Sequence, residues 1–229
     1  MKKEVICFDF DDVITNRSSF IRIASLVGKT TKKVKIGLRL LEDNENPKEF
    51  YKAIKDGVSL GKGVKYSNVQ RIAYFIRLTK NAKKTLKKLK ENGHKIVIIS
   101  TNDVKLIKKF IKRKKIDKYI DHIYASRLGV RNGRLTGKIY GDVIKTEKLG
   151  ALREIKNRYG KDPKDIVYVA DGLTDLPIMK RVGKGILFCP NPIANAEVLV
   201  DRQLMQMKRE GRLFLVEDKD LSKILEFVS

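Results

Sequence analysis

The chain has 229 residues, of which 42% are hydrophobic and 7% aromatic, with no tryptophan. This is enough for the packed core of one large domain, or of one domain with a smaller one inserted, and it excludes wholesale disorder. Lys and Arg total 51 against 27 Asp and Glu, a net charge of +24. Such a surface attracts polyanions such as nucleic acid, a membrane face or a phosphorylated substrate. A heat-adapted, lysine-rich surface gives the same excess. The lysines are spread along most of the chain, but the excess is densest from Lys80 to Lys115, where acids are nearly absent. The scarcity of aromatics argues against a stacking platform for single-stranded nucleic acid. Cys7, Cys189, His94 and His122 are too few and too scattered for a local zinc motif or a disulfide framework. Apolar runs such as Ile96 to Ile99 fall far short of the ~18 residues of a membrane span. The expectation is a soluble protein of a reducing, cytoplasmic compartment with no membrane partner and an undetermined oligomeric state.

In chain order, Val5 to Phe8 reads as a buried parallel strand that runs into Asp9. From Arg17 to about Thr79 the apolar spacing turns helical, with Phe20, Ile23, Ala24 and Val27, and later Ile72, Phe75 and Ile76. Asn44 to Pro47 and Gly57 to Gly63 read as loops within it. Asn81 to Asn92 is an amphipathic helix with Ala82, Leu86 and Leu89 inward, stopped by Gly93. Ile96 to Ile99 is a second strand ending at Ser100. Asn102 or Asp103 can cap the next helix, which turns Val104, Ile107, Phe110 and Ile111 inward. His122 to Ala125 is a third strand, and Asn132-Gly133 signals a hairpin. A helix is expected from about Thr146 to Tyr159, strands over Ile166 to Ala170 and Ile186 to Phe188, and a polar surface insertion over Asp201 to Arg212. Cys7 reads as core packing and His94 as a turn residue at a strand start.

Strands alternating with helices predict an α/β fold, a parallel sheet with helices on both faces. The core is expected over residues 1–15 and 81–229, with a small helical domain over 16–80. In such sheets ligands bind beyond the carboxyl ends of the strands. Strand one ends Asp9-Phe10-Asp11-Asp12, strand two Ser100-Thr101 and strand four Asp171-Gly172-Leu173-Thr174-Asp175. Carboxylates gathered in one crevice repel by ~4 kcal/mol per pair at ~4 Å and an effective dielectric of ~20. A hard divalent cation such as Mg²⁺ relieves that repulsion, and Mg²⁺ with a lysine can neutralise a phosphate.

These residues resemble the motifs of the haloacid dehalogenase-like (HAD) superfamily. Asp9-Phe10-Asp11-Asp12-Val13 fits its DxDx(T/V) motif, Ser100 its second motif, Lys148 its third and Asp171-Gly172-Leu173-Thr174-Asp175 the DGxxD form of its fourth. Ala125 to Leu128, Asn132 to Gly137, Phe188 to Pro192 and Val216 to Leu221 are similar to segments of the phosphoserine phosphatase family. The resemblance implies a HAD-like Rossmannoid core with a C1-type helical cap, and a phosphatase acting on a small phosphorylated substrate. It implies Asp9 as nucleophile, forming an aspartyl-phosphate, and Asp11 as general acid and base. Mg²⁺ would be held by Asp9, the Asp11 backbone carbonyl and Asp171, with Asp175 behind. Ser100 would bind the phosphoryl group, with Thr101 as its rival. Lys148, with Lys145 as its rival, would offset charge. Asp175 could instead cap a helix. Asp12 and Ala170 depart from the family's usual residues, and Asp12 could act as a cap or perturb the metal site.

Phosphoserine phosphatases use a cap Glu and a cap Arg on their substrate, and the matching positions here hold Ser18 and Gly57. Neither makes a charge-assisted bond, although Arg17, Arg22 or Lys55 could act from a shifted position. A different phosphomonoester is therefore expected, with Ser18 as a substrate-side residue. The alternatives are a phosphatase or phosphotransferase acting on nucleotides or nucleic-acid ends, and a non-catalytic basic module that binds nucleic acid. Weak nucleic-acid binding through the basic surface accords with either.

Overall fold

In the computed structural model, residues 3–19 and 47–228 are described. Phe20, Arg22, Ile23, Ala24 and Val27 lie outside them. Strands β1 (Val5–Phe8), β2 (Lys95–Asp103), β3 (His122–Arg131), β4 (Arg134–Tyr140), β5 (Ile166–Ala170), β6 (Lys184–Phe188) and β7 (Leu213–Val216) form one sheet. It has 7 strands in the order β4-β3-β2-β1-β5-β6-β7. All neighbours are parallel except β3 and β4.

β1 sits at the centre, in register with β2 (Val5 opposite Lys95) and β5 (Val5 opposite Ile166). Its four residues are all buried because successive side chains enter opposite layers. Ile6 and Phe8 join Ile96 and Ile98 of β2 on one face, while Val5 and Cys7 join Val97 and Ile99 on the other. The first face is covered by helices α3 (Ala82–Glu91) and α4 (Val104–Arg113), through Leu86, Leu89, Ile107 and Phe110. Ile72, Ala73 and Ile76 complete that layer, and Phe110 meets Phe10 edge to face at 5.3 Å. The second face is covered by α5 (Asp142–Lys145), α6 (Gly150–Tyr159), α7 (Leu176–Met179), α8 (Pro192–Val200) and α9 (Arg202–Arg209). Helix α1 (Pro47–Leu60) packs on β4 and the Leu173–Asp175 turn while adding Tyr51 and Ile54 to the same apolar cluster. No described helix is long and apolar enough to cross a membrane.

Helix α2 (Tyr66–Arg71) and the chain before it lie against the β3–β4 hairpin. The Gly63 amide donates to the Leu135 carbonyl at 2.8 Å, and the Leu135 amide donates to that of Val64 at 2.9 Å. Asn132 and Gly133 turn the hairpin with φ of 49° and 69°, the doubly positive backbone that this dipeptide favours.

Several expectations are corrected. β2 continues past Ser100 to Asp103, and of the two expected cap candidates it is Asp103 that caps α4, accepting from the Leu106 amide at 3.2 Å. Gly57 lies within α1, not in a loop. The helix expected from about Thr146 begins only at Gly150, because Glu147 and Lys148 take left-handed φ values of 51° and 68°. The span Asp201 to Arg212 is no surface insertion. Asp201 caps α9 by accepting from the Leu204 amide at 2.9 Å, and Leu204 and Met207 are buried in the second layer. The short run Leu213–Val216 is a strand, parallel to β6.

Candidate active site

Asp9 and Asp171 stand just beyond the carboxyl ends of β1 and β5, and Ser100 lies three residues before the end of β2. The Asp9 amide donates to the Val169 carbonyl of β5 at 2.9 Å, which holds the end of β1 against its neighbour. Beyond Asp9 the chain alternates. Phe10 enters the core, and Asp11 keeps an extended backbone (φ −72°, ψ 143°). Asp12 then takes φ 56° and its carboxylate pairs with Lys219 at 2.7 Å. Asp12 therefore makes no described helix cap and ties this loop to the C-terminal region.

One ligand oxygen from each of Asp9, Asp171 and Asp175 lies within 4.8 Å of the others. Lys148 enters this group with Nζ 3.2 Å from Asp9 Oδ1 and 2.5 Å from Asp175 Oδ1. Asp9 Oδ1 also accepts from the Phe10 amide at 2.8 Å. Tyr168 Oη donates to Asp175 Oδ1. Asp175 is thus an anchor for the lysine and makes no side-chain helix cap. Among the described residues, no hydrogen bond or ion pair engages the Asp171 carboxylate. Lys145, the rival lysine, is exposed, whereas Lys148 is 2% exposed.

The left-handed turn at Glu147 and Lys148 is what delivers the ammonium inward. It rests on a tight support. Asp142 Oδ2 accepts from Tyr124 Oη at 2.8 Å, and the Gly150 amide donates to Thr146 Oγ1 at 2.9 Å. A Cβ at Gly150 would lie 2.2 Å from Asp142 Oδ2, so glycine is required there by space.

Burial raises the Asp9 carboxyl to about 7. The charges of Asp175 and Asp11 add to the rise, and Lys148 and the Phe10 amide oppose it. Asp171 is pushed well above the usual carboxylate range by desolvation and by Asp9 and Asp175. For Lys148 burial acts to lower the value, but Asp175 and Asp9 outweigh it and hold the ammonium above the ordinary lysine range. Three acids against one lysine leave uncompensated negative charge, and Asp171 has an idle carboxylate. An all-oxygen, net-negative donor set of this kind fits a hard divalent cation.

Asp11 is placed differently. Its Oδ2 accepts from the Ser19 amide at 3.0 Å, from Ser19 Oγ at 2.9 Å and from Asn102 Nδ2 at 3.0 Å. Burial still raises it to about 6, against those hydrogen bonds. Ser19 and Asn102 carried no sequence signal for this role. Ser18, the residue expected on the substrate side, has no described hydrogen bond. Ser100 is buried and its Oγ accepts from the Asn102 amide at 3.1 Å. Thr101 is buried too, and its carbonyl accepts from Ser126 Oγ. Neither hydroxyl has a described bond to the acid group. Tyr51 of α1 was also missed. Its buried Oη has no hydrogen-bond partner among the described residues and feels the charges of Lys148, Asp175 and Asp9.

The model of the family described as haloacid dehalogenase-like hydrolase matches residues 6–180. Phosphoserine phosphatase of Methanocaldococcus jannaschii is 29% identical over 228 residues, which cover 99% of this chain and 98% of that protein. A solved substrate-bound phosphoserine phosphatase complex superposes with a TM-score of 0.79 at 27% identity, over 100% of both chains. A phospho-aspartyl intermediate analogue of phosphoserine phosphatase superposes with a TM-score of 0.78 at 27% identity, also over 100% of both chains. The chain belongs to the haloacid dehalogenase-like hydrolases and is an enzyme of that family, a phosphatase of phosphoserine phosphatase-like build.

Proposed function

We propose that the protein is a cytoplasmic, Mg²⁺-dependent phosphomonoesterase working through an aspartyl-phosphate on Asp9, with a substrate other than phosphoserine. The observation that carries this reading is Lys148 held between Asp9 and Asp175 beside an unengaged Asp171. The Asp9 Oδ1 oxygen is occupied by Lys148 and the Phe10 amide, which leaves Oδ2 to attack phosphorus. The new bond forms from Oδ2 to phosphorus as the bond from phosphorus to the substrate oxygen breaks. Asp11, raised to about 6, keeps a protonated fraction near neutrality and gives its proton to the departing oxygen. It then takes a proton from the water that attacks the phospho-aspartate, which releases inorganic phosphate and restores Asp9. Ser19 and Asn102 hold Asp11 in place for both transfers. Ser100 and Lys148 orient the phosphoryl group, with Thr101 as the second hydroxyl at that strand end. Mg²⁺ would be held by Asp9, the Asp11 carbonyl and Asp171, with Asp175 behind through its lysine. When bound it supplies positive charge that offsets the phosphoryl oxygens.

The substrate reading rests on Ser18 and Gly57. Gly57 lies in α1, the helix that brings Tyr51 toward the acids, yet it offers no side chain to a substrate carboxylate. Incubation with a labelled phosphomonoester and Mg²⁺, followed by acid quench, tests the intermediate. A hydroxylamine-sensitive label on the wild type, absent from Asp9→Asn, is expected. A label that persists in that variant contradicts the mechanism. A panel of phosphate esters tests the substrate, and rapid, selective hydrolysis of phosphoserine would contradict that part.

A further inference from the structure

The topology puts both lysine-rich helices, α3 and α4, on the same face of the sheet, with their apolar sides in one core layer. Together they carry ten Lys or Arg and one acid, Glu91, whereas α6, α8 and α9 on the other face carry six and two. Glu91 is itself paired with Lys87 at 3.5 Å. On α4 the basic residues recur at helical spacing as Lys105, Lys109 and Arg113, with Lys108 and Lys112 one ridge over. No carboxylate pairs with any of these five among the described residues. From Lys105 to Arg113 the stripe is ~12 Å long at ~1.5 Å rise per residue, too extended for a single phosphate.

Aromatics are few in the chain, but the exposed Tyr74 lies beside this stripe, and the exposed Phe75 follows it in sequence. Tyr74 is 48% and Phe75 64% exposed. Arg113 stands 4.3 Å and Lys109 5.2 Å from the Tyr74 ring centre. No described ring or cation covers Phe75. A ring edged by cations that no carboxylate neutralises, Tyr74, next in sequence to an exposed ring, Phe75, brings charge and stacking surface together, as binding of unstacked bases and their backbone requires. A second copy of the chain would oppose like charge on this face. A membrane would need a broad apolar face to insert, but the apolar side chains of α3 and α4 are buried in the core and Phe75 alone offers little.

We propose that the α4 face, with Phe75 and Tyr74, binds single-stranded nucleic acid. This rests on the charge and exposure of that face alone, not on catalysis. The test is fluorescence anisotropy of a labelled 20-nucleotide single strand lacking terminal phosphates, with the full chain in EDTA. Five phosphate contacts predict a slope of about −3.5 in log affinity against log salt, roughly a 100-fold loss between ~50 and ~200 mM. The triple variant K108E/K112E/R113E is expected to bind at least tenfold more weakly, with a salt slope shallower by about 2. Phe75→Ala is expected to weaken binding roughly fivefold through lost stacking. The control K208E/R209E, on the far face, should bind as wild type. Circular dichroism melts establish that each variant is folded. Unchanged affinity in the triple variant, or a flat salt response, overturns the proposal. So does tighter binding to phosphatidylserine vesicles than to the oligonucleotide. Equal affinity for duplex, with no effect of Phe75→Ala, overturns the single-strand assignment.

Discussion

Two buried or half-buried acids stand at the carboxyl edge of the same sheet, and they are treated in opposite ways. Asp103, at the end of β2, is 3% exposed and fully engaged. Its Oδ2 accepts from Tyr66 Oη at 2.5 Å and the Leu106 amide at 3.2 Å, and its Oδ1 accepts from the Leu128 amide at 3.0 Å. It fastens α2, α4 and the β3–β4 hairpin to the end of one strand. Asp171, just past the end of β5, has no described donor and faces Asp9 and Asp175 within 4.8 Å. A buried acid that serves the fold is given its hydrogen bonds, because leaving it without them is expensive. An acid left without them, among others of its charge, either holds its proton, as the raised Asp171 does in the absence of an ion, or is stabilised by a cation. The contrast separates structure from function without reference to any relative.

The comparison can be broken most sharply at Asp9. Asp9→Asn keeps the side-chain shape but removes the nucleophile, so steady-state hydrolysis of p-nitrophenyl phosphate should fall by about 10⁴-fold. Next is Asp171→Asn, for which kcat/KM should fall by about 10²- to 10³-fold as charge stabilisation is lost. The same variant should melt higher than the wild type in EDTA at pH 7.5, because it relieves repulsion that the folded state bears alone. Asp103→Ala should do the reverse of that, costing about 3 kcal/mol of unfolding free energy by leaving three donors unpaired. Tyr66→Phe should cost only about 1 kcal/mol, since one hydrogen bond goes and the other two remain. Denaturant melts read both.

Acidity sharpens the contrast further. The folded Asp9 and Asp11 carboxyls are raised to about 7 and about 6, above the ~3.9 of an unfolded chain. The folded state therefore binds more protons than the unfolded one across this window. In EDTA, stability should fall as pH rises from about 4 through about 7, and Asp171, pushed well above the usual carboxylate range, carries the fall further. The fall should be smaller in Asp171→Asn, which removes a carboxyl that burial, Asp9 and Asp175 push well above the usual range. Thermal melts across that range check it, and an equal fall in the variant would sink the electrostatic account.

How much of this was legible in the sequence follows from which forces act locally. The central strands were plain because a strand covered on both faces must be continuously apolar, as in Val5 to Phe8. The acids at their ends could be located because strand order in a parallel sheet gathers those ends. Lys148 could be chosen by motif spacing, but its turn could not be foreseen. Two consecutive non-glycine residues in the left-handed region run against local preference, and the pull of Asp9 and Asp175 on the ammonium is a long-range effect. Ser19, Asn102 and Tyr51 escaped for the same reason, since nothing nearby in sequence says that they meet Asp11 or Lys148. Leu204 and Met207 were misread because the basic and amide residues around them hide a narrow apolar stripe.

The central claim is that Asp171 and Asp9 await a hard cation. Thermal melting of the metal-free protein at pH 7.5 under rising Mg²⁺, for the wild type and Asp171→Asn side by side, tests it most directly. At ~100 times the dissociation constant, bound ion adds ~2.7 kcal/mol, a rise of roughly 5–10 °C for a domain of this size. The account predicts that rise in the wild type and little or none in the variant. An unmoved wild type, or the same rise in both, would contradict it.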